Sequence, residues 1–272
     1  MPLKSLLLTV LLLAPAAAAL EATVTTEPDS PEARTGTLTV KDAGQTLWTA
    51  TTPGLRWARV GPLSPDGRTL AVLGAFGYVQ LWDVPTGQRR ATLLAADPKS
   101  DKVSLAAFSP DGRTLVTHAY PYDLSVWDVA TGKRLAQLAG PQTRRVFLPG
   151  LQVDFTPNSS LFSVAGGEAP AMVFSTRTGE LRAKLPAPMQ EYPGYGTFPR
   201  GSIAADLGND GERIAVLYAN GEIRLHDVPG GQVTRSGFWK TPGTSGATLH
   251  LEPSGEAVTV TRGWESYRIA LH

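Results

Sequence analysis

The sequence predicts an all-β fold assembled from repeated four-stranded antiparallel sheets, and three observations predict it. Residues 63–93 (LSPDGRTLAVLGAFGYVQLWDVPTGQRRATL) recur at 108–138 (FSPDGRTLVTHAYPYDLSVWDVATGKRLAQL), with Pro65 and Pro110, Trp82 and Trp127, and Gly87 and Gly132 each 45 positions apart. A repeat of that period suits one sheet that buries its faces against like neighbours. The apolar runs are short and bounded by turn residues at fixed places. The 28 Gly and 22 Pro of the 272 residues supply those turns.

Within the second copy, residues 103–108 form an apolar first strand. Ser-Pro-Asp-Gly then turns the chain tightly, because Pro fixes φ and Gly accepts a positive one. Residues 113–117 are the second strand, 118–123 a variable loop, 124–127 the third strand, 128–132 a second tight turn and 133–138 the fourth strand. Apolar residues at successive positions require cover on both faces of the sheet, which stacked neighbouring sheets provide.

Taken in order, the chain opens with a targeting segment. Lys4 gives a positive start, residues 6–13 a short greasy core, and Ala16 to Ala19 small residues for cleavage. Residues 1–19 therefore read as an export signal cut after Ala19, with Ala18 the other candidate, and the apolar stretch is too short for a comfortable membrane span. The mature protein is expected to be soluble and exported, periplasmic or secreted. Residues 20–35, acidic and Pro-containing, read as a flexible leader, and 36–272 as the repeat domain. Residues 37–50 look like the back half of a unit. Full units start near Trp57 and Val103, and weaker ones span about 151–185, 202–235 and 247–272. The last stops before a fourth strand, whereas residues 45–50 offer a spare one. Five blades in a ring closed by that N-terminal strand joining the C-terminal blade is the expectation. Six, with the hairpin in a divergent extra blade, is the alternative.

Composition narrows the function. A net charge of +1 argues against a nucleic-acid-coating surface and gives no reason to expect a basic membrane-binding face. The absence of Cys rules out disulfides, thiolate metal sites and lipid attachment through cysteine. Asp66, Asp111 and Asp210 precede Gly and fit turn chemistry, and Asp227 is expected to bond its own turn. His118, His226 and His250 are scattered at no ligand spacing, and neither a nucleophile elbow nor a phosphate loop is present. Trp57, Trp82 and Trp127 read as wedges between sheets.

The repeated motifs, Ser-Pro-Asp-Gly followed by Trp-Asp-Val-x-Thr-Gly, resemble the WD-repeat β-propeller family, most strongly over 57–138 and more weakly to Arg235. The family's Gly-His pair is absent and His226-Asp227 replaces a Trp-Asp. The His-Ser-Asp-Trp relay of standard blades therefore cannot form in its usual way, and packing is expected to carry more of the stability. Residues 42–48 look like the turn-and-Trp pattern of quinoprotein-type propellers, and the Ser-Pro-Asp-Gly turns are similar to those of the periplasmic propeller of the Tol system. The resemblance implies a rigid platform for a protein or peptide partner. The expectation is of a non-catalytic monomer with no cofactor, metal or nucleic acid and no membrane span in the mature protein. A small-molecule or sugar-binding propeller, or a propeller enzyme of the quinoprotein or lactonase kind, is the alternative.

Both kinds of tight turn fall at one end of each sheet, so a site is expected at the other end. There the second-to-third-strand loops and the connectors vary most, and loops on a rigid scaffold carry function. Candidate binding residues are Tyr78, Tyr120, Tyr122, Arg144, Arg145, Tyr192, Tyr195, Phe198, Arg200 and Trp239, joined by Phe76, Phe238 and Trp264. Tyr, Trp and Arg anchor interfaces because they bury large area beside a polar handle. The connector 186–201 is long and rich in Tyr, Phe, Pro and Gly.

Overall fold

The computed structural model describes residues 8–13, 19–26, 36–52, 58–74, 77–95, 103–119, 123–137, 151–166, 170–192, 196–199, 201–240 and 246–272. Every regular element among them is a β-strand. The chain divides into two compact units, Met1–Leu138 and Ala139–His272.

The first unit holds three four-stranded sheets. One comprises β1 (Leu8–Leu13), β2 (Ala19–Thr26), β3 (Gly36–Asp42) and β4 (Gln45–Thr51). The next comprises β5 (Arg59–Leu63), β6 (Thr69–Leu73), β7 (Tyr78–Asp83) and β8 (Gln88–Leu94). The third comprises β9 (Val103–Phe108), β10 (Thr114–Ala119), β11 (Asp123–Asp128) and β12 (Arg134–Gln137). Each is an antiparallel meander in chain order. Strands β6 and β10 are buried at every position because they are covered on both faces, whereas the outer strands β8 and β12 are largely exposed. One core joins the first sheet to the second through Ala22, Val24, Leu38, Val40, Val60, Leu70, Val72 and Trp82. Another joins the second to the third through residues such as Leu81, Leu93, Leu115 and Trp127.

The second unit repeats the plan. Its sheets are β13 (Gln152–Phe155), β14 (Leu161–Ala165), β15 (Met172–Ser175) and β16 (Leu181–Lys184); then β19 (Ser202–Leu207), β20 (Arg213–Tyr218), β21 (Glu222–Asp227) and β22 (Val233–Phe238); and a three-stranded sheet of β23 (Ala247–Leu251), β24 (Ala257–Arg262) and β25 (Glu265–Ala270). Between the first two lies a hairpin, β17 (Met189–Tyr192) and β18 (Gly196–Pro199). The connector 186–201, expected to be a loop, thus carries paired strands of its own.

Four-stranded meanders stacked face to face are propeller blades, as the repeats require. Beside the connector hairpin, the described residues hold six sheets, five of four strands and one of three, which matches the six-blade alternative kept for the hairpin. The reason is local. The segment read as a flexible leader contributes β2, where Leu20, Ala22 and Val24 alternate with polar residues and pair with β3 from Leu20↔Asp42 to Thr26↔Gly36. The spare strand β4 is bonded to β3 (Val40↔Trp48) as the outer strand of this first sheet, and the C-terminal sheet keeps three strands. Residues 27–35 lie outside the described residues.

Candidate functional site

The tight-turn end of each sheet is consumed by structure. The Ser64 hydroxyl donates to Asp66 Oδ1 (2.6 Å), which also accepts the Arg68 N–H (3.0 Å), while Ser64 Oγ accepts the Thr69 N–H (2.8 Å). Ser109, Asp111, Arg113 and Thr114 repeat this arrangement. Gly67 and Gly112 hold φ of 72° and 69°, a conformation that needs glycine. In the β13–β14 turn Asn158 takes the carboxylate's place and Ser159 adopts φ 58°. The Ser64 hydroxyl holds the Asp66 carboxyl below its ordinary range, and the Thr131 hydroxyl does the same for Asp128. Asp227 accepts the N–H groups of Gly230 and Gln232. These acids close turns, Asp66 and Asp111 as their positions before Gly imply and Asp227 by bonding its own turn, and among the described residues no three acids or histidines form a metal cluster.

The tryptophans are wedges. Trp82 and Trp127 are each only 4% exposed. Trp48 stacks on Trp82 at 6.1 Å and donates its indole N–H to the Val84 carbonyl (2.6 Å), tying the first sheet to the second. Trp57 lies outside the described residues. Buried polar bonds survive to a greater degree than the missing Gly-His pair implies. Trp127 Nε1–H donates to Thr117 Oγ1 (2.8 Å), Trp82 Nε1–H donates to Gln80 (3.2 Å), and Ser104 Oγ lies 2.6 Å from His118 Nδ1. His226 Nδ1–H donates to the Gly231 carbonyl (3.2 Å), and its Nε2 lies 3.3 Å from the Tyr218 hydroxyl. Burial pushes the His226 imidazole below its ordinary value and the Tyr218 hydroxyl above its own. Packing is thus supplemented by short local polar pairs.

At the opposite end, in the second unit, apolar side chains face solvent. Trp264, in the two-residue turn between β24 and β25, is fully exposed (103%), and Phe238, the last residue of β22, is 53% exposed. Both positions fall at the end that carries the second-to-third-strand turns, since Phe238 lies against Gly221 in the β20–β21 turn. Met189, on the connector hairpin, is 60% exposed. Trp239 is a correction: it is 2% exposed, packs with Leu217, Ile223 and Leu271, and its ring lies tilted against Tyr267 with centroids 6.1 Å apart. Its backbone N–H bonds the Gly221 carbonyl, which turns the ring inward, so it anchors the exposed Phe238 and offers no surface of its own. Tyr78 begins β7 half-buried against the first core. Tyr192 and Phe198 stand in the connector hairpin, at Tyr192↔Gly196 and Gln190↔Phe198. Phe76, Tyr120, Tyr122, Arg144, Arg145, Tyr195 and Arg200 lie outside the described residues.

The inner strands of the second unit carry a feature that sequence reasoning missed. Asp154 on β13 accepts the Leu207 N–H of β19 at 2.8 Å, and Asp206 on β19 accepts the Leu251 N–H of β23. His250 Nδ1 lies 3.2 Å from Asp206. Each carboxyl satisfies an amide on the edge of the next sheet's first strand, an edge that would otherwise lack a partner. Burial pushes the Asp154 carboxyl up to about 6, and the neighbouring Asp206, to which Asp154 is hydrogen-bonded, adds to the effect. The signal was available: Asp154, Asp206 and His250 each stand one residue before the apolar residue that ends the first strand of its unit.

Comparisons with known proteins complete the picture. No protein-family model matches the chain. An uncharacterized WD repeat-containing protein of Deinococcus radiodurans is 30% identical over 246 residues, covering 84% of this chain and 90% of the relative. A second protein so described from the same organism is 44% identical over 95 residues, 35% of each chain. The crystal structure of the computationally designed Ika8 protein aligns with 96% of this chain and 70% of its own, at TM-score 0.62 and 19% identity, a likeness of fold.

Proposed function

The chain belongs to the WD-repeat family, and from that premise we propose that it is an exported, non-catalytic scaffold that binds a protein or peptide partner through the loop end of its sheets. WD-repeat proteins generally mediate protein interactions. The observation that carries the reading is the fully exposed Trp264, with Phe238 half-exposed at the corresponding end of the preceding sheet. Exposed large aromatics are costly in water and are the residues that anchor interfaces. Both rest on rigid supports: Trp264 on a tight hairpin, Phe238 over Gly221 and beside the buried Trp239. The opposite end is occupied by self-bonded turns, which leaves fewer free groups for a partner. No helix among the described residues is long and apolar enough to cross a membrane.

The test is a crosslinked pull-down from envelope extract, comparing the exported protein with a Trp264→Ser/Phe238→Ser double variant. The expected result is loss of the captured partner with thermal stability unchanged. Equal capture by the two proteins contradicts the reading.

A further inference from the structure

We propose that the free edge of β2 is a strand-docking site, opened when residues 1–19 are removed at export. This rests on the export reading and deepens the scaffold reading by naming a kind of partner, an extended apolar β-strand segment of about six residues.

The observation is a double use of one segment. Leu8–Leu13 is the greasy core of the export signal, and it is also β1, paired antiparallel to β2 at six consecutive positions from Leu8↔Val24 to Leu13↔Ala19. The other edge of β2 is taken by β3. Cleavage after Ala19 therefore strips one edge of β2 of every partner β1 supplies. The β5–β8, β9–β12, β13–β16 and β19–β22 sheets each draw their first strand from the body of the chain, so among the four-stranded sheets of the described residues the cut shortens the first alone.

The vacated edge remains in place after the cut. Ala22 and Val24 are buried (0% and 4%) in a core with Leu38, Val40, Val60, Leu70 and Trp82, so side-chain packing on the second sheet holds β2 without β1. The edge is also suited to receive a strand. Edges are ordinarily guarded by charge, proline or a bulge. Between Leu20 and Thr25, β2 carries a single charged residue, Glu21, and no proline, and neither its pairing with β1 nor that with β3 shows a register shift. The seated strand defines the occupant's character, because the sequence LTVLLL is extended throughout and apolar at every position but Thr9.

The experiment expresses the protein with its own leader, purifies the exported form, reads its N-terminus by mass spectrometry and titrates it with a fluorescent peptide. The peptide carries residues 8–13 between solubilising lysines. Two further peptides are N-methylated at alternate residues, so that one loses the N–H groups aimed at β2 and the other those aimed away. The expected result is an N-terminus at Leu20, binding of the plain peptide, and binding about tenfold or more weaker for only one methylated form, as loss of ladder hydrogen bonds requires. An exported protein starting at Leu20 that binds no peptide, or binds all three alike, overturns the docking site while leaving export intact. A protein that retains residues 1–19 overturns both, and makes β1 a permanent strand. The pull-down on Trp264 and Phe238 reads the loop end separately from either outcome.

Discussion

Asp154 is a buried carboxyl held well away from its ordinary chemistry. Its carboxyl is pushed from 3.8 up to about 6, first by burial and then by Asp206. The folded state therefore binds a proton more tightly than the unfolded chain does. The stability from this group is fully present below about pH 4, declines as pH rises toward 6, and is lost above it. Asp154→Asn keeps an oxygen to accept the Leu207 N–H and presents an amide N–H toward Asp206, imitating the protonated acid. Denaturant unfolding at pH 4, 6 and 8 is expected to show the variant about 1–3 kcal/mol more stable than the native protein at pH 8, with a flatter pH profile. A variant less stable at pH 8 would contradict this account of the pair. Residues of this type were hard to read ahead of the fold. An Asp before Gly announces its own turn, because partner and acceptor lie within two positions, as for Asp66 and Arg68. Asp154 and Leu207 are 53 positions apart, and only the stacking of sheets brings them together. Trp239 was misread for the converse reason. It follows a strand, where a connector begins, yet its backbone bonds Gly221 and its ring is buried in the core that β20 and β21 share with the last sheet.

Among the elements, β4 shows how neighbouring sheets are joined. Its Trp48 projects over the next sheet's second turn, stacking on Trp82 and reaching the Val84 carbonyl. A Cβ at Gly87 would fall 2.8 Å from the Trp48 ring, so the glycine that allows the turn its φ of 68° also makes room for the indole. Trp48→Ala removes the ring, the stack and the hydrogen bond together. Thermal unfolding is expected to show a loss of about 2–4 kcal/mol, whereas a loss within about 0.5 kcal/mol, as at ordinary surface positions, would mean the wedge is idle. The interior elements were legible because their signals are local: 103–108 was expected as a strand and is β9, and the two turn motifs end strands where they were placed. The elements at the start were not. Acidic and proline residues across 20–35 suggested mobility, while the alternation of Leu20, Ala22 and Val24, a few residues long, had force only once β3 stood beside it. The hairpin in the connector was hidden in the same way, since Pro, Gly and Tyr are as common in loops as at strand ends.

Over the whole chain, the 45-residue repeat and the family it announces agree with the repeated four-stranded sheets. What the repeat could not supply is the part that differs between copies. That part holds Trp264 and Phe238, and several further candidates lie outside the described residues. The proposed scaffold function is assigned to the unequal loops, because the equal turns are spent on holding the sheets. The last sheet offers a direct comparison of its two ends, with Trp264 in the β24–β25 turn at one and Ser254 in the β23–β24 turn at the other. The decisive measurement places a photo-crosslinking amino acid at position 264 or at position 254 of the exported protein and analyses the adducts formed in the cell by mass spectrometry. The loop-end scaffold requires one polypeptide partner captured from position 264 and none from 254; capture from 254 alone, or from neither position, would contradict it.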